Sequence, residues 1–134
     1  MFKNISLEQA FNLIKQNMLK SILLVGLGSA GGGIARFLIS KYAHHFTSLS
    51  FPLGTMVVNI LGCFIIGFIY SLISKNTASG ANIHLLLATG FCGGFTTFSS
   101  FIHENYTMIE RGNILECALY TGLSITLGML ALYC

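Results

Sequence analysis

Residues 90–101 read GFCGGFTTFSSF. Glycines at 90, 93 and 94 are followed by hydroxyls at Thr96, Thr97, Ser99 and Ser100, with phenylalanines at 91, 95, 98 and 101. Gly93 and Gly94 beside Thr96 and Thr97 predict a helix that breaks locally. A break frees carbonyl oxygens at the end of one half and N–H groups at the start of the next. The carbonyls suit a cation, while the N–H groups and the hydroxyls of the following turns, Thr97 and Ser100 among them, suit an anion. Phe98 and Phe101 are three apart, so both rings project along one face. An aromatic ring is negative on its face and positive at its edge, so a pair set edge-on to a narrow path attracts an anion, whereas a pair pressed into a neighbouring helix is plain packing. Two further polar positions belong to the same chemistry. Asn59 is an amide in the apolar run MVVNILG, and Tyr120, Ser124 and Gly128 recur one turn apart near the C-terminus.

The elements that must carry these residues are read from composition. The chain has 134 residues, 54% hydrophobic and 8% charged, with mean hydropathy +0.76. Soluble domains carry about 25% charged residues, so this composition belongs to an integral membrane protein of one domain. A helical span takes ~20 apolar residues, which makes room for four. The net charge of +3 comes from scattered basic residues, which mark span ends at the headgroups; no basic patch for nucleic acid forms. Cysteines 63, 92, 117 and 134 show no CxxC pairing and read as small hydrophobes.

Residues 1–20 form an extension too polar to span and residues 21–134 a four-span domain. In the extension Leu7, Phe11, Ile14 and Met18 share one helical face, Ser6 with Gln9 resembles a capping box, and Lys3, Lys15 and Lys20 suit a helix on an anionic surface. A loose extension accounts for the same residues. No cleavage site marks it as a signal peptide. Span one, about 21–42, holds the small cluster Gly28 to Gly33, whose spacing lets a neighbouring helix approach closely; no strand pattern precedes it and no Gly-Lys-Ser/Thr follows, so it is not a phosphate loop. Arg36 lies toward its far end, where it either snorkels outward or adds positive potential at an anion entrance. Span two, about 52–74, opens on Pro52 and sets Thr55, Asn59, Gly62 and Ile66 on one face. Span three, about 82–106, contains the opening stretch, and span four starts near Ile114. The termini share a side. Lys20 and Lys75 on that side against Lys41 and Arg111 on the other leave the orientation nearly balanced.

Glu104, Glu110 and Glu116 flank the short connection between spans three and four, and Glu8 lies in the extension. A proton-coupled carrier needs an acid in mid-membrane, and the sequence offers none there. His44, His45, His84 and His103 lie at or near span ends; the adjacent pair has no third ligand nearby to make a metal site, and no nucleophile has a base beside it. Enzyme chemistry is therefore not expected.

These residues resemble the Fluc/CrcB family of small fluoride channels from span one to span four. The span-two pattern P-x-G-T-x-x-x-N-x-x-G-x-F-x-x-G is met by Pro52, Gly54, Thr55, Asn59, Gly62, Phe64 and Gly67. The span-three pattern is met by GFCGGFTTFSSF with Ser100 for the usual threonine, and the span-four pattern by Tyr120, Ser124 and Gly128. Span one is looser: Gly28, Gly32 and Arg36 fit, while Ser29, Gly33 and Phe37 replace Gly, Ala and Tyr. The resemblance implies an all-α membrane protein whose third helix is broken, assembled as an antiparallel, dual-topology homodimer in the cell (plasma or inner) membrane. It implies passive export of fluoride through two pores, each lined by both subunits. Phe98 and Phe101 would present ring edges to the ion, Asn59 an amide N–H, and Thr97, Ser100, Tyr120 and Ser124 a track of hydroxyls, with Arg36 a possible vestibule charge. It further implies a structural sodium ion at the dimer centre on carbonyls of Gly93 and Thr96. The alternatives weighed are a small multidrug-type transporter, which predicts an intramembrane carboxylate, and a non-transporting membrane subunit, which leaves the hydroxyl cluster unexplained.

Overall fold

The computed structural model describes residues 6–46, 51–73 and 80–133, and among these every regular element is helical. The side chains of His44 and His45, together with Lys3, Lys75 and Cys134, lie outside the described residues. Among the described residues four helical stretches are long and apolar enough to cross a membrane: Leu7–Ala43, Leu53–Ile73, Gly80–Glu110 and Ile114–Tyr133.

Helix α1 (Leu7–Phe46) is 40 residues long, so at 1.5 Å per residue it extends ~60 Å, about twice the ~30 Å hydrocarbon layer. Its start is fixed by a reciprocal cap. Gln9 N–H donates to Ser6 Oγ at 3.2 Å and Ser6 N–H to Gln9 Oε1 at 3.3 Å, the capping box expected from those residue types. The helix continues through Lys20, so the extension and the first span are one continuous helix. No glycine or proline stands between residues 7 and 25, and the polar residues there halt a membrane span without halting a helix.

Helix α2 (Leu53–Ile73) follows Pro52, and α3 (Gly80–Ile83) leads into a π-helical segment, His84–Cys92, and the short α4 (Gly93–Phe95). Thr96 (φ −77°, ψ 156°) and Thr97 (φ −144°, ψ 112°) are both extended, and helical geometry resumes in α5 (Phe98–Glu110). Gly112, at φ +77°, closes α5. Its N–H reaches Ile109 O at 3.0 Å and Asn113 N–H reaches Met108 O at 2.9 Å, the paired bonds of a glycine-stopped helix end. Helix α6 (Ile114–Tyr133) returns across the layer.

Close backbone approach holds the bundle. A Cβ placed on Gly28 would lie 2.8 Å from Phe91 N, and one on Gly32 2.8 Å from Phe95 N, so α1 runs against the π segment and α4 with nothing between. A Cβ on Gly94 would likewise lie 2.8 Å from the Ser29 Cα. In lipid, where apolar burial between helices drives little, such small-residue contacts are the main attraction. Two buried clusters fill the rest: Ile69, Ala88 and Cys92 on one side, and Phe101, Met108 and Tyr120 on the other.

Candidate functional site

The interruption at Thr96–Thr97 is stitched to α2 by one side chain. Asn59 Oδ1 accepts from Thr97 N–H at 2.8 Å, and Asn59 Nδ2 donates to Thr97 O at 3.2 Å. The amide thus pairs with the Thr97 backbone as another strand would. An asparagine amide carries two N–H donors; one is committed to Thr97, and the second has no partner among the described residues. In a continuous helix Thr97 N–H would serve the carbonyl of Gly93; here that donor belongs to Asn59. Ser100 N–H, which would serve Thr96 O, instead donates to Thr97 Oγ1 at 3.3 Å, with Thr97 acting as the cap of α5. Both carbonyls named from the sequence for a cation have therefore lost their regular helical donors, and nothing lies within 4 Å of a Cβ built on Gly93. Carbonyl oxygens so released are the donor type that an oxygen-liganded cation takes.

A groove of about 380 Å³ opens beside this turn, lined by Asn59, Thr96, Thr97, Phe98, Phe101 and Ser124 together with Gly62, Cys63, Ile66 and Ile125. Residues from α2, the interruption, α5 and α6 meet there. Phe98 is 75% exposed and Phe101 8%; their ring centroids are 6.2 Å apart with planes tilted by 34°. Ser124 Oγ, although buried, finds no hydrogen-bond partner among the described residues. Thr97 Oγ1 donates to Ser100 Oγ at 3.0 Å, which leaves the Ser100 hydroxyl proton free to serve another acceptor. Arg36, half-buried on α1, lines neither this groove nor the cavity described next.

That second cavity, about 300 Å³, lies at the end of the bundle where α5 turns into α6. Its walls include Ser40, Thr55, His103, Glu104, Thr107 and Arg111. Glu104 ties the wall together: its Oε1 accepts from Thr55 Oγ1 at 2.6 Å and its Oε2 from Tyr120 OH at 2.7 Å. The Tyr120 ring, fully buried, stands 5.1 Å from that of Phe101 and edge-on to Phe51 at 5.4 Å. Phe101 faces the groove and Tyr120 bonds to the cavity wall, so the two rings form the partition between the spaces. Asn105 braces it from behind. Its Nδ2 donates to Phe101 O at 2.8 Å, and its Oδ1 accepts from Thr121 Oγ1 at 2.8 Å and Cys117 Sγ at 3.0 Å.

Of the residues named from sequence, the structure gathers Asn59, Thr96, Thr97, Phe98, Phe101 and Ser124 around one groove, with Ser100 bonded to Thr97 and Tyr120 behind Phe101. Glu104, which flanks the connection between spans three and four, also points into the bundle, where it bonds to Thr55 and Tyr120. The signal was present: Thr97, Phe101 and Glu104 follow i, i+4, i+7 spacing and share the face that α5 turns inward. Asn105 was not singled out at all. Among the described residues no cluster of three metal-ligating side chains occurs.

Comparison with known proteins gives a consistent picture. The family described as CrcB-like protein, Camphor Resistance (CrcB), matches residues 23–134. A fluoride-specific ion channel FluC of Azobacteroides pseudotrichonymphae genomovar. CFP2 is 44% identical over 114 residues, covering 85% of this chain and 91% of that protein. One from Chlorobium phaeobacteroides (strain BS1) is 46% identical over 113 residues, covering 84% of this chain and 88% of its own length. Another, from Prosthecochloris aestuarii (strain DSM 271 / SK 413), is 43% identical over 118 residues, covering 88% and 91%.

Proposed function

The chain belongs to the CrcB-like family of fluoride-specific ion channels, and from that premise we propose that it conducts fluoride passively through the groove between α2, α5 and α6. It is a multi-pass membrane protein of a channel family and not an enzyme. The observation that carries the pore assignment is the unpartnered, buried Ser124 Oγ facing the same groove as the spare N–H of Asn59. Burying polar groups without partners is costly, and an anion passing between these donors supplies what they lack.

Fluoride holds its water tightly, so a path must return several hydrogen bonds for those it removes. The Asn59 N–H, the free protons of Ser100 and Ser124, and the positive edges of Phe98 and Phe101 are the donors at hand. Thr97 contributes by capping α5 and orienting Ser100. Tyr120, engaged with Glu104, holds the Phe101 ring, and the 300 Å³ cavity is the aqueous approach. Arg36, lining neither space, is a span-end charge that adds background positive potential at most.

The exposure of Phe98 at the groove calls for a covering surface, and we assign it to a second, inverted copy, giving an antiparallel homodimer with two pores in the cell (plasma or inner) membrane. The near balance of flanking charge suits a chain that inserts both ways. At the centre of that dimer the carbonyls of Gly93 and Thr96 would hold a structural sodium ion, which contributes cohesion between the chains. The physiological role is export: HF enters from acid surroundings, ionises inside, and the anion leaves down its gradient.

A small multidrug-type transporter was set aside on the lack of an intramembrane carboxylate. Glu104, half-buried, lines the cavity at the end of the bundle and is not that mid-membrane acid; family membership separates the two readings as well. The test is efflux from liposomes holding the purified protein, read with a fluoride electrode and repeated with chloride. Rapid efflux of fluoride alone is expected; a folded dimer that passes neither ion would leave the groove a packing feature.

A further inference from the structure

The match to the family model begins at residue 23, and α1 begins at Leu7, so several turns of helix precede the part that the family model covers. Leu7, Phe11, Ile14 and Met18 are spaced four, three and four apart, which at 100° per residue sets them in one stripe. Each is more than half exposed, and no other part of the described chain covers them. Gln9, Asn12, Gln16 and Lys20 take the opposite face. Lys3, Lys15 and Lys20 outnumber the single acid, Glu8.

Residues 7–20 span ~21 Å of helix, whereas the headgroup layers add only ~5–8 Å to each side of the hydrocarbon. Held coaxial with the span, the stripe would stand mostly in water. The join to the apolar run carries a feature suited to a bend: Ser21 Oγ donates to Asn17 O at 2.9 Å. A hydroxyl bonded back to the i−4 carbonyl competes with the backbone N–H and bends helices. It sits between Lys20 and Ile22, where polar sequence gives way to apolar.

We propose that residues 7–20 turn at Asn17–Ser21 and lie in the headgroup layer of an anionic leaflet, with Leu7, Phe11, Ile14 and Met18 in the acyl boundary and the lysines on the phosphates. Two observations choose lipid over a second copy of the helix. Pairing like helices would bring like charges together. Lipid is also within reach of a helix tethered to a membrane span at any protein concentration. The inference rests on the membrane assignment and is independent of which ion the groove passes.

The chain contains no tryptophan, so Phe11→Trp in the full-length protein gives a single reporter, and Gln16→Trp reports the opposite face. Each is reconstituted into phosphatidylcholine vesicles with or without phosphatidylglycerol, using brominated acyl chains in both leaflets so that orientation does not matter. Phe11→Trp emission is expected to be blue-shifted and mostly lost to the brominated chains when phosphatidylglycerol is present. The loss should shrink in pure phosphatidylcholine, in high salt, or with Lys15→Gln and Lys20→Gln. Gln16→Trp should stay red-shifted and open to iodide. Red-shifted, iodide-accessible emission from Phe11→Trp would overturn the proposal in favour of a projecting rod. Blue-shifted emission indifferent to bromine would overturn it in favour of a protein partner. Leu7→Trp gives the same readings should Phe11→Trp fail to fold.

Discussion

Asn59 has two separable duties, and replacing it tests both. In Asn59→Ala the Thr97 N–H and C=O lose partners at 2.8 and 3.2 Å. A buried polar group left without a partner costs about 1–3 kcal/mol, or roughly 2–6 kcal/mol for the two. The groove is open on one side, which lets water reach Thr97 in the isolated protomer and places the loss near the low end, about 2–3 kcal/mol. That corresponds to a fall of roughly 30–150-fold in the folding equilibrium. Asn59→Asp separates the duties: whether or not it is protonated, its carboxyl accepts from Thr97 N–H, but it has no spare N–H for an anion. The stability loss should therefore be smaller than for alanine while fluoride efflux falls as far or further. Thermal unfolding in detergent gives the first quantity and electrode-read efflux from liposomes the second. Wild-type stability in Asn59→Ala would refute the pairing with the Thr97 backbone, and wild-type efflux in Asn59→Asp would refute the spare donor.

Adjacent glycines on α1 should behave oppositely. Gly32→Ala drives a methyl into the Phe91 carbonyl and to 2.8 Å from Phe95 N, costing about 1–3 kcal/mol or more, whereas Gly33→Ala meets nothing within 4 Å and should gain about 0.5–1 kcal/mol; thermal stability of the two variants decides. Phe101→Ala removes a buried ring from the partition and should cost about 3–5 kcal/mol, while Phe98→Ala, exposed in the protomer, should abolish most efflux with little loss of protomer stability. Equal destabilisation by both would argue that Phe98 is a packing residue. Glu104→Ala leaves the Tyr120 and Thr55 hydroxyls without their shared acceptor and should cost about 2–4 kcal/mol. Glu104→Gln recovers most of that, since one hydroxyl can reverse and accept from the new amide; if Gln is as damaging as Ala in thermal unfolding, the charge is required and not the geometry.

The four membrane-length helices were legible because each is an apolar run of spanning length, and the capping box at Ser6 because it depends on residues three apart. The course of α1 through Lys20 was not. Span boundaries follow polarity, but helix boundaries follow caps, glycine and proline, and the stretch around Asn12 to Lys20 is polar while lacking any of those stops. The pairing of Asn59 with Thr97 joins residues 38 apart, a distance no local periodicity reaches. The inward direction of Glu104 was not legible for a related reason: its register with Thr97 and Phe101 points it at Thr55 and Tyr120, which lie on other helices. Asn105 carried no sequence signal beyond its helical position, since its partners lie on its own previous turn and on α6.

The same exchange of hydrogen bonds serves both proposed ions. Asn59 takes the Thr97 N–H that a regular helix would give to Gly93 O, and Thr97 Oγ1 takes the Ser100 N–H that would go to Thr96 O. Those two transfers release the carbonyls proposed for sodium, and they leave the second Asn59 N–H for the proposed anion. The two proposed sites are thus two sides of one interruption, and weakening the exchange should affect both. In Asn59→Ala the Thr97 N–H is free to return to Gly93 O, which would regularise the helix and withdraw that carbonyl from a cation. Dimer stability, followed by size exclusion or thermal unfolding, is expected to be higher in sodium than in a large organic cation for the unaltered chain. That sodium dependence should shrink in Asn59→Ala and persist in Asn59→Asp, which keeps the acceptor. A sodium dependence equal in all three would mean that the carbonyls of Gly93 and Thr96 are not released by Asn59, and the coupling of the two sites would have to be abandoned.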